Sequence, residues 1–351
     1  MFFEEQVEFH LHDGTPVEGG VLIGGTEFLP VATLRADVDA YQAEYDTWLD
    51  EIWIPQQRER RSEILKLRAN AKRYADLRDA VSRQQVVPVI GSGMSVPSGL
   101  PTWSDFLRGL LPFTKIDPAS LEELLQDGAF EEAVDLIASA MDPNLLNERA
   151  EHDLRVDDPS AIDGAVRLLP AVFPDLAITT NLDDVMELHY RRCGVEFGTV
   201  LVGQELAQYR QMKTPTRSFL LKLHGDRRYP ATRVLCKAEY EAAYAPGSVI
   251  REELALLFRT NHLLFLGCSL GSDRTVRLIA EVAESDKSMP KHYALLPLPD
   301  TDAVRVDKEN LLAKRGIYPI WYEGAHDESI RALLAGLLDV AGGSRANAGE
   351  Q

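Results

Sequence analysis

Short apolar runs recur along most of the chain, and segments with a helical pattern separate them. The runs are VVPVI, AITTN, FLLKLHG, HLLFLGCS, KHYALLPL and IYPIWY, in that order between Val86 and Tyr322. Strands of this kind are buried on both faces, and helices between them allow neighbouring strands to run parallel. The pattern therefore predicts an α/β fold with a Rossmann-like, doubly wound parallel sheet over residues 85–341.

Residues 1–84 follow a different pattern. Alternating apolar positions in QVEFHLHDGTPVEGGVLIGG flank Asp13-Gly14 and Gly19-Gly20, which predicts one or two β-hairpins. Two helical stretches follow, and the second is predicted as one amphipathic helix over about 57–83. Its apolar stripe consists of Ile64, Leu67, Ala71, Tyr74 and Val81. Such a helix packs either on its own domain or on another subunit.

Two further segments complete the predicted organisation. Residues 104–170 form a helical insert that is acidic between Leu121 and Met141. The insert is either a small lid that shields a crevice from water or a layer that covers the sheet. Residues 342–351, rich in small and polar side chains, are expected to form a flexible tail.

Composition narrows the classes of protein that fit. The 351 residues are 45% hydrophobic and 26% charged, and neither a basic leader nor a long uncharged apolar run occurs, so we expect a soluble cytoplasmic protein with no membrane contact. The cysteines, Cys193, Cys236 and Cys268, lie too far apart for a zinc ribbon or a disulfide framework. A net charge of −18 disfavours direct nucleic-acid binding. The basic run from Arg58 to Arg78 is interpreted as a solvated helix face.

The first candidate for chemistry is the segment after the strand VVPVI. Gly91-Ser92-Gly93 lets the backbone approach a phosphate closely, and the next helix would present unpaired amides. A tight strand-to-helix turn is the alternative interpretation. The residues that follow, including Ser95, Pro101 and Trp103, make the pattern more specific than a bare GxG.

Polar residues also follow two later strands. Thr180-Asn181 and Asp183 end the run AITTNLDD, which by itself is also typical of a helix cap or a turn. In LLKLHGD, His224-Gly225 follows a buried strand. A histidine with an ordinary pKa of about 6.5 can act as a general base, although a structural histidine is the alternative. Asp226 is either a helix cap or an orienting partner.

A fourth segment, LLFLGCSLGSD, ends its strand with Gly267 and Ser269, which suit a contact with a sugar hydroxyl. Cys268 between them is interpreted as a small buried filler. In open α/β sheets, ligands bind beyond the carboxyl ends of the strands. We therefore expect all four segments to meet at one crevice.

Together, in this order, the four segments resemble the sirtuin-like superfamily over about residues 84–340. GSGMSVPSGLPTW is similar to the family loop GAGxSxxSGLPxW, and AITTNLDD to its Thr-x-Asn-x-Asp element. LHGD resembles its His-Gly pair, and FLGCSLGSD its Phe-x-Gly-x-Ser-x-x-x-Asp element. The deacetylase loop continues with Asp-Phe-Arg. Thr102-Trp103-Ser104 is more similar to the bacterial sirtuin-like domains of anti-phage defence proteins.

The resemblance implies NAD⁺ as the substrate and catalytic roles for two residues, and the missing zinc ribbon leads us to expect no zinc. Asn181 would hold the nicotinamide ribose and position the attacking water, and His224 would contact the ribose hydroxyls and take a proton. The residues predicted to bind the dinucleotide are Gly91, Ser92, Gly93, Ser95, Pro101, Trp103, Thr180, Asp183, Gly225, Gly267 and Ser269.

The implied function is an NAD⁺ glycohydrolase that releases nicotinamide and either ADP-ribose or a cyclic product, as an NAD-depleting defence effector. A protein deacylase or ADP-ribosyltransferase, and a non-catalytic NAD or ADP-ribose sensor, are the alternatives. A depleting enzyme needs gating by a partner or by assembly. We therefore expect a homo-oligomer or partner contacts through residues 1–84. The resemblance to sirtuin-like defence proteins implies that such a partner would be a ring-forming ATPase of the HerA type or an Argonaute-like protein.

Overall fold

A seven-stranded parallel sheet forms the centre of the computed structural model, which describes residues 3, 21–23, 26–28, 34–214, 217–270, 274–286 and 288–341. The first two strands, β1 (Val21–Ile23) and β2 (Thr26–Phe28), form a separate antiparallel pair. The sheet contains β3 (Val86–Ile90), β4 (Leu176–Thr179), β5 (Thr199–Val202), β6 (Phe219–Lys222), β7 (His262–Leu266), β8 (His292–Pro297) and β9 (Ile317–Tyr322). Their order is β5-β6-β4-β3-β7-β8-β9. The predicted Rossmann-like α/β fold is confirmed.

The helices lie before, between and after these strands. They are α1 (Val38–Trp48), α2 (Ile54–Lys66), α3 (Asn70–Ser82), α4 (Trp103–Leu110), α5 (Pro118–Gln126), α6 (Phe130–Ala140), α7 (Pro143–Asp153), α8 (Leu169–Val172), α9 (Val185–Arg192), α10 (Tyr209–Met212), α11 (Lys237–Ala243), α12 (Val249–Thr260), α13 (Arg274–Ser285), α14 (Asp302–Lys314) and α15 (His326–Ala341). Within the described ranges, no helix combines the length and the apolar character needed to cross a membrane.

Both faces of the sheet are covered, because successive strand residues point to opposite sides. Leu264 and Leu266 of β7 face a cluster that includes residues of α3, α9 and α15. Leu263 and Phe265 of the same strand face a second cluster with residues of α12 and α13. Burial on both faces explains why the strands are continuously apolar in sequence.

The amino-terminal helices pack on the chain's own domain. Ile64 of α2 and Tyr74 of α3 belong to the cluster that covers one face of the sheet. Tyr74 donates a hydrogen bond to the backbone oxygen of Leu333 in α15, at 2.7 Å. Of the two interpretations of this amphipathic segment, packing on its own domain is therefore the one observed.

The prediction of one helix over 57–83 is wrong, since α2 ends at Lys66 and α3 begins at Asn70. Arg68 between them has a φ of 50°. The buried Asn70 side chain donates to the backbone oxygens of Ile64 and Trp321, each at 2.7 Å, and accepts from the Trp321 amide at 3.0 Å. Of the predicted stripe, Ile64, Tyr74 and Val81 belong to one buried cluster on the two sides of the break, whereas Ala71 is exposed.

The hairpin and the tail were predicted from residues that are only partly described. In the described part, Val21 pairs with Phe28 and Ile23 with Thr26. The predicted turn formers Asp13-Gly14 and Gly19-Gly20, and the tail 342–351, lie outside the described residues. The prediction also omitted β5, a four-residue strand at the edge of the sheet.

The helical insert has a hydrophobic core of its own. Side chains of α4 to α7 form a cluster separate from the two that cover the sheet. Leu182 and Leu235, from the loops that follow β4 and β6, join this cluster. The insert thus stands beside the carboxyl ends of the strands, and residues of α4 and α6 line the crevice there.

Candidate functional site

A crevice of about 480 Å³ opens at the carboxyl ends of β3, β4, β6 and β7. The chain crosses from one side of β3 to the other between β6 and β7, so the crevice lies at the topological switch point where α/β sheets bind ligands. The candidate residues on its wall are Gly91, Ser92, Gly93, Pro101, Trp103, Thr180, Asn181, Asp183, His224, Gly267 and Ser269. Among the described residues, the candidates Ser95 and Gly225 do not line the crevice.

The two glycines of the first loop are required by packing between loops. A Cβ on Gly91 would lie 2.5 Å from the backbone oxygen of Gly267, and one on Gly93 would lie 3.0 Å from it. The Gly93 amide donates to that same oxygen at 3.1 Å, and the Gly91 amide donates to Leu266 at 2.9 Å. The loops after β3 and β7 therefore touch, which closes the floor of the crevice.

The predicted helix terminus directly after this loop is not observed. The chain makes two 3₁₀ turns, Ser92–Met94 and Val96–Ser98, and α4 begins only at Trp103. Thr102 caps α4, since its hydroxyl accepts from the Asp105 amide at 3.1 Å. The amides expected to face a phosphate are thus largely used within the protein.

Asn181 is held from behind by a buried chain of hydrogen bonds. Its Nδ2 donates to the Ser95 hydroxyl at 3.1 Å, and that hydroxyl donates to Asp183 Oδ2 at 2.8 Å. An ionised carboxylate only accepts, so the Ser95 oxygen is left to accept from the Asn181 amide nitrogen. This order leaves the Asn181 carbonyl oxygen for a ligand. Ser95 therefore positions Asn181 from behind the wall.

Asp183 lies next to a buried cation. Burial raises the pKa of Asp183 to about 6, although the Lys222 ammonium and the Ser95 hydroxyl act in the opposite direction. Lys222 is fully buried and donates to Asp183 O and Glu187 Oε1 at 2.7 Å and to Asp226 Oδ2 at 2.9 Å. Burial alone would lower the pKa of Lys222, but the two carboxylates raise it. A charged lysine thus ties together the loops after β4 and β6.

Of the two interpretations of Asp226, that of an orienting partner is closer to the structure. Besides Lys222, its carboxylate accepts from the Arg228 amide and Nε, both at 2.9 Å. Burial would raise the pKa of Asp226, but these bonds hold it well below its usual range. The Asp226 carboxylate thus fixes the positions of two cationic side chains, Lys222 and Arg228.

His224 is held by two tyrosine hydroxyls. Its Nε2 lies 2.8 Å from the Tyr244 hydroxyl, and its Nδ1 lies 3.3 Å from the Tyr240 hydroxyl. Tyr244 continues to Thr275 Oγ1 at 3.0 Å, and Tyr240 is on the crevice wall. The tyrosines are four residues apart, one helical turn, which brings both to the same face. Sequence reasoning missed them, although the spacing in KAEYEAAY was the available signal.

Gly225 is required by the backbone. Its φ is 100°, and a Cβ there would lie 2.5 Å from the backbone oxygen of Thr232. Glycine adopts this conformation at no steric cost. Gly225 thus lets the chain turn sharply after His224 and pass close to residues 232–233.

Cys268, interpreted as a filler, is half-buried on the crevice wall, and its thiol lies 3.5 Å from the Leu266 oxygen.

Charged residues from three helices complete the wall, and the sequence analysis named none of them. Glu131 and Glu132 come from α6, Lys237 from α11, and Arg274 and Arg277 from α13. Glu131 binds Arg274, and Glu132 binds Lys237. Two ion pairs thus join the insert to the sheet domain across the crevice. Among the described residues, no group of three or more His, Cys, Asp or Glu side chains is placed to hold a metal ion.

Comparison with known proteins agrees with this architecture. Residues 175–320 match the family model of the SIR2-like domain, and no curated protein matches the chain. The match runs from the fourth strand to the ninth and includes Asn181, His224, Gly267 and Ser269. SIR2-like domains are typical of enzymes that use NAD. Over these residues the chain is thus similar to the SIR2-like domain, which supports a sirtuin-like family.

Proposed function

We propose that the protein is an NAD⁺ glycohydrolase, which cleaves the bond between nicotinamide and ribose. One observation carries the proposal: Asn181, with its amide orientation set by Ser95, and His224, held by two tyrosines, line the same crevice. The volume of this crevice is in the range of ordinary ligand pockets. Its walls present an amide oxygen, an imidazole and cations, which suit a ribose and a diphosphate.

Cleavage of the nicotinamide–ribose bond needs little from the protein beyond the orientation of the ribose and the attacking water. Nicotinamide in NAD⁺ is a cationic leaving group, so it departs with the electron pair of the breaking carbon–nitrogen bond, and the ribose passes through an oxocarbenium-like state. A water oxygen then bonds to the anomeric carbon and gives up a proton. Asn181 Oδ1 accepts a hydrogen bond from this water, which aims it at the carbon. His224 takes the proton, and ADP-ribose is formed.

The two tyrosines support His224 in this role. A neutral imidazole has one nitrogen that donates and one that accepts. Tyr244, which is buried and bonded to Thr275, holds Nε2. Nδ1, at the longer distance of 3.3 Å from Tyr240, is then the nitrogen that receives the proton. A substrate hydroxyl that enters the crevice competes with Tyr240 for this position.

The test is nicotinamide release from NAD⁺ by the purified full chain and by Asn181→Ala and His224→Ala. We expect each variant to lose about 100-fold or more in rate, the usual contribution of a positioned proton acceptor, with its unfolding temperature little changed. Asn261→Ala and His152→Ala, which change the same residue types outside the crevice, are the matched controls. If both site variants cleave at the parental rate, the proposal is wrong. Chromatography of the product distinguishes ADP-ribose from a cyclic form.

The biological role that we propose is NAD depletion in anti-phage defence, gated by assembly or by a partner. It is supported by the likeness of GSGMSVPSGLPTW to bacterial sirtuin-like defence domains. Cellular NAD should fall after phage infection in cells that express the parental chain with its neighbouring genes, and should stay level with Asn181→Ala. The mass of the full chain in solution tests assembly, since a chain that is monomeric while fully active contradicts gating by self-association.

A further inference from the structure

The helix α13 brings two arginines to the crevice. Arg274 is its first residue and Arg277 lies three residues later, which places both on the same face of the helix. Both line the crevice, beside the loop that carries Gly267 and Ser269. Arg277 is exposed, and the side chain of Arg274 is only 18% exposed. Two arginine side chains thus line the crevice of a chain with a net charge of −18.

Arg274 is held in one orientation by the insert. Its Nε donates to Glu131 Oε1 at 2.7 Å and its Nη2 to Oε2 at 2.6 Å, so one edge of the guanidinium is paired with the carboxylate. A guanidinium has five N–H donors, and this pairing uses two of them. The opposite edge, formed by Nη1 and the second hydrogen of Nη2, is thus in a fixed position. Two parallel donors of this kind match the oxygens of a phosphate.

The glycine-rich loop is a weaker alternative for binding phosphate. The amides of Gly91 and Gly93 donate to Leu266 and Gly267, and those of Met94 and Ser95 donate to Gly91 and Ser92. A diphosphate carries two negative charges, and these four bonded amides are not available to balance them. The charge of such a ligand is therefore met by side chains.

We propose that Arg274 and Arg277 bind the diphosphate of the dinucleotide, with Glu131 as the positioning residue that orients Arg274. This inference rests on the proposed function, because it assigns the ligand of that same crevice. Since Glu131 belongs to the insert, the grip on the phosphates is complete only while α6 lies against α13. Substrate binding and the position of the insert are thus linked through one ion pair.

Binding of ADP-ribose and of adenosine to the full chain tests the assignment by calorimetry. The two ligands share the nucleoside, and only ADP-ribose has the diphosphate. We expect Arg274→Ala and Arg277→Ala each to weaken ADP-ribose binding about 10- to 100-fold, the usual loss for a hydrogen bond to a charged group, and to change adenosine binding less than about twofold. Arg274→Lys, which keeps the charge without the two parallel donors, should recover only part of the loss.

Arg259→Ala is the matched control, because it removes one arginine from α12 outside the crevice, where Arg259 lies 4.0 Å from Asp286. The assignment is overturned if the arginine variants weaken both ligands equally, if they weaken neither, or if the parental chain does not bind ADP-ribose. Binding needs no cleavage. A parental chain that binds ADP-ribose through the arginines but releases no nicotinamide, either alone or with the products of its neighbouring genes, would contradict the glycohydrolase and support the diphosphate site.

Discussion

Replacing Ser95 by alanine tests how the structure orients Asn181. The change removes the acceptor of Asn181 Nδ2, at 3.1 Å, and the hydroxyl donor of Asp183, at 2.8 Å. Ser95 is 2% exposed and Asn181 8%, so bulk water does not readily replace the lost partners. One lost bond joins neutral groups and the other reaches a carboxylate, which together cost about 2–4 kcal/mol of unfolding free energy.

The effect on the proposed reaction follows from the same geometry. Without the Ser95 oxygen, no acceptor holds the amide nitrogen on the buried side, and the Asn181 side chain is free to turn its NH₂ group toward the crevice. An NH₂ group does not accept the hydrogen bond of the attacking water. Losing one such bond, worth about 1.4 kcal/mol, lowers kcat about tenfold.

Nicotinamide release and denaturant unfolding, measured on the same preparations, give both quantities. Ser98→Ala is the matched control, because Ser98 lies in the same loop and its hydroxyl makes two hydrogen bonds, to the backbone of Asp163. We expect Ser98→Ala to cost some stability and to retain the parental kcat. If Ser95→Ala also retains the parental kcat at saturating NAD⁺, Ser95 does not set the orientation of the Asn181 amide that the proposed reaction requires.

Three further predictions follow from buried or strained positions. Burial raises the pKa of Asp183 in the folded chain from 3.8 to about 6. Its contribution to the free energy of unfolding is therefore present below pH 4 and is lost as the pH rises to about 6. Denaturant unfolding at a series of pH values should show this loss in the parental chain and not in Asp183→Asn. Lys222→Met leaves the carboxylates of Glu187 and Asp226 without their buried cation, so the free energy of unfolding in denaturant should fall by about 3–5 kcal/mol. A fall of less than about 1 kcal/mol would contradict the inference that this lysine holds the loops after β4 and β6 together. Gly225→Ala places a residue with a Cβ at a φ of 100°, where that Cβ would lie 2.5 Å from the Thr232 oxygen. The free energy of unfolding should therefore fall by about 1–3 kcal/mol or more. An unchanged value would show that the turn relaxes.

Much of the site was visible in sequence because it follows from local chemistry. The strands that carry Asn181, His224 and Gly267 are continuously apolar, and that pattern predicts burial on both faces. Polar residues at the ends of parallel strands must share an edge of the sheet. The convergence on one crevice was therefore predictable before the strand order was known.

The partners of these residues were not predictable in the same way. The bond between Ser95 and Asp183 joins positions 88 apart, and that between Arg274 and Glu131 joins positions 143 apart. Sequence reasoning put Ser95 among the ligand contacts and explained Gly91 by a phosphate, whereas the structure uses Ser95 to orient an amide and Gly91 to admit the loop after β7. The break at Arg68 also depends on a distant partner, since Asn70 binds the backbone of Trp321 in β9.

By itself, the sequence determined the strands β3, β4, β6, β7, β8 and β9 and the residues that stand at their carboxyl ends. Those properties depend on the partition of side chains between water and the core, and on backbone sterics within a few residues. Only the tertiary structure decided the strand order, the orientation of Asn181, the tyrosines around His224 and the pairing of the insert with α13. Directional hydrogen bonds and ion pairs require atoms within about 3 Å, and folding alone brings distant parts of the chain that close.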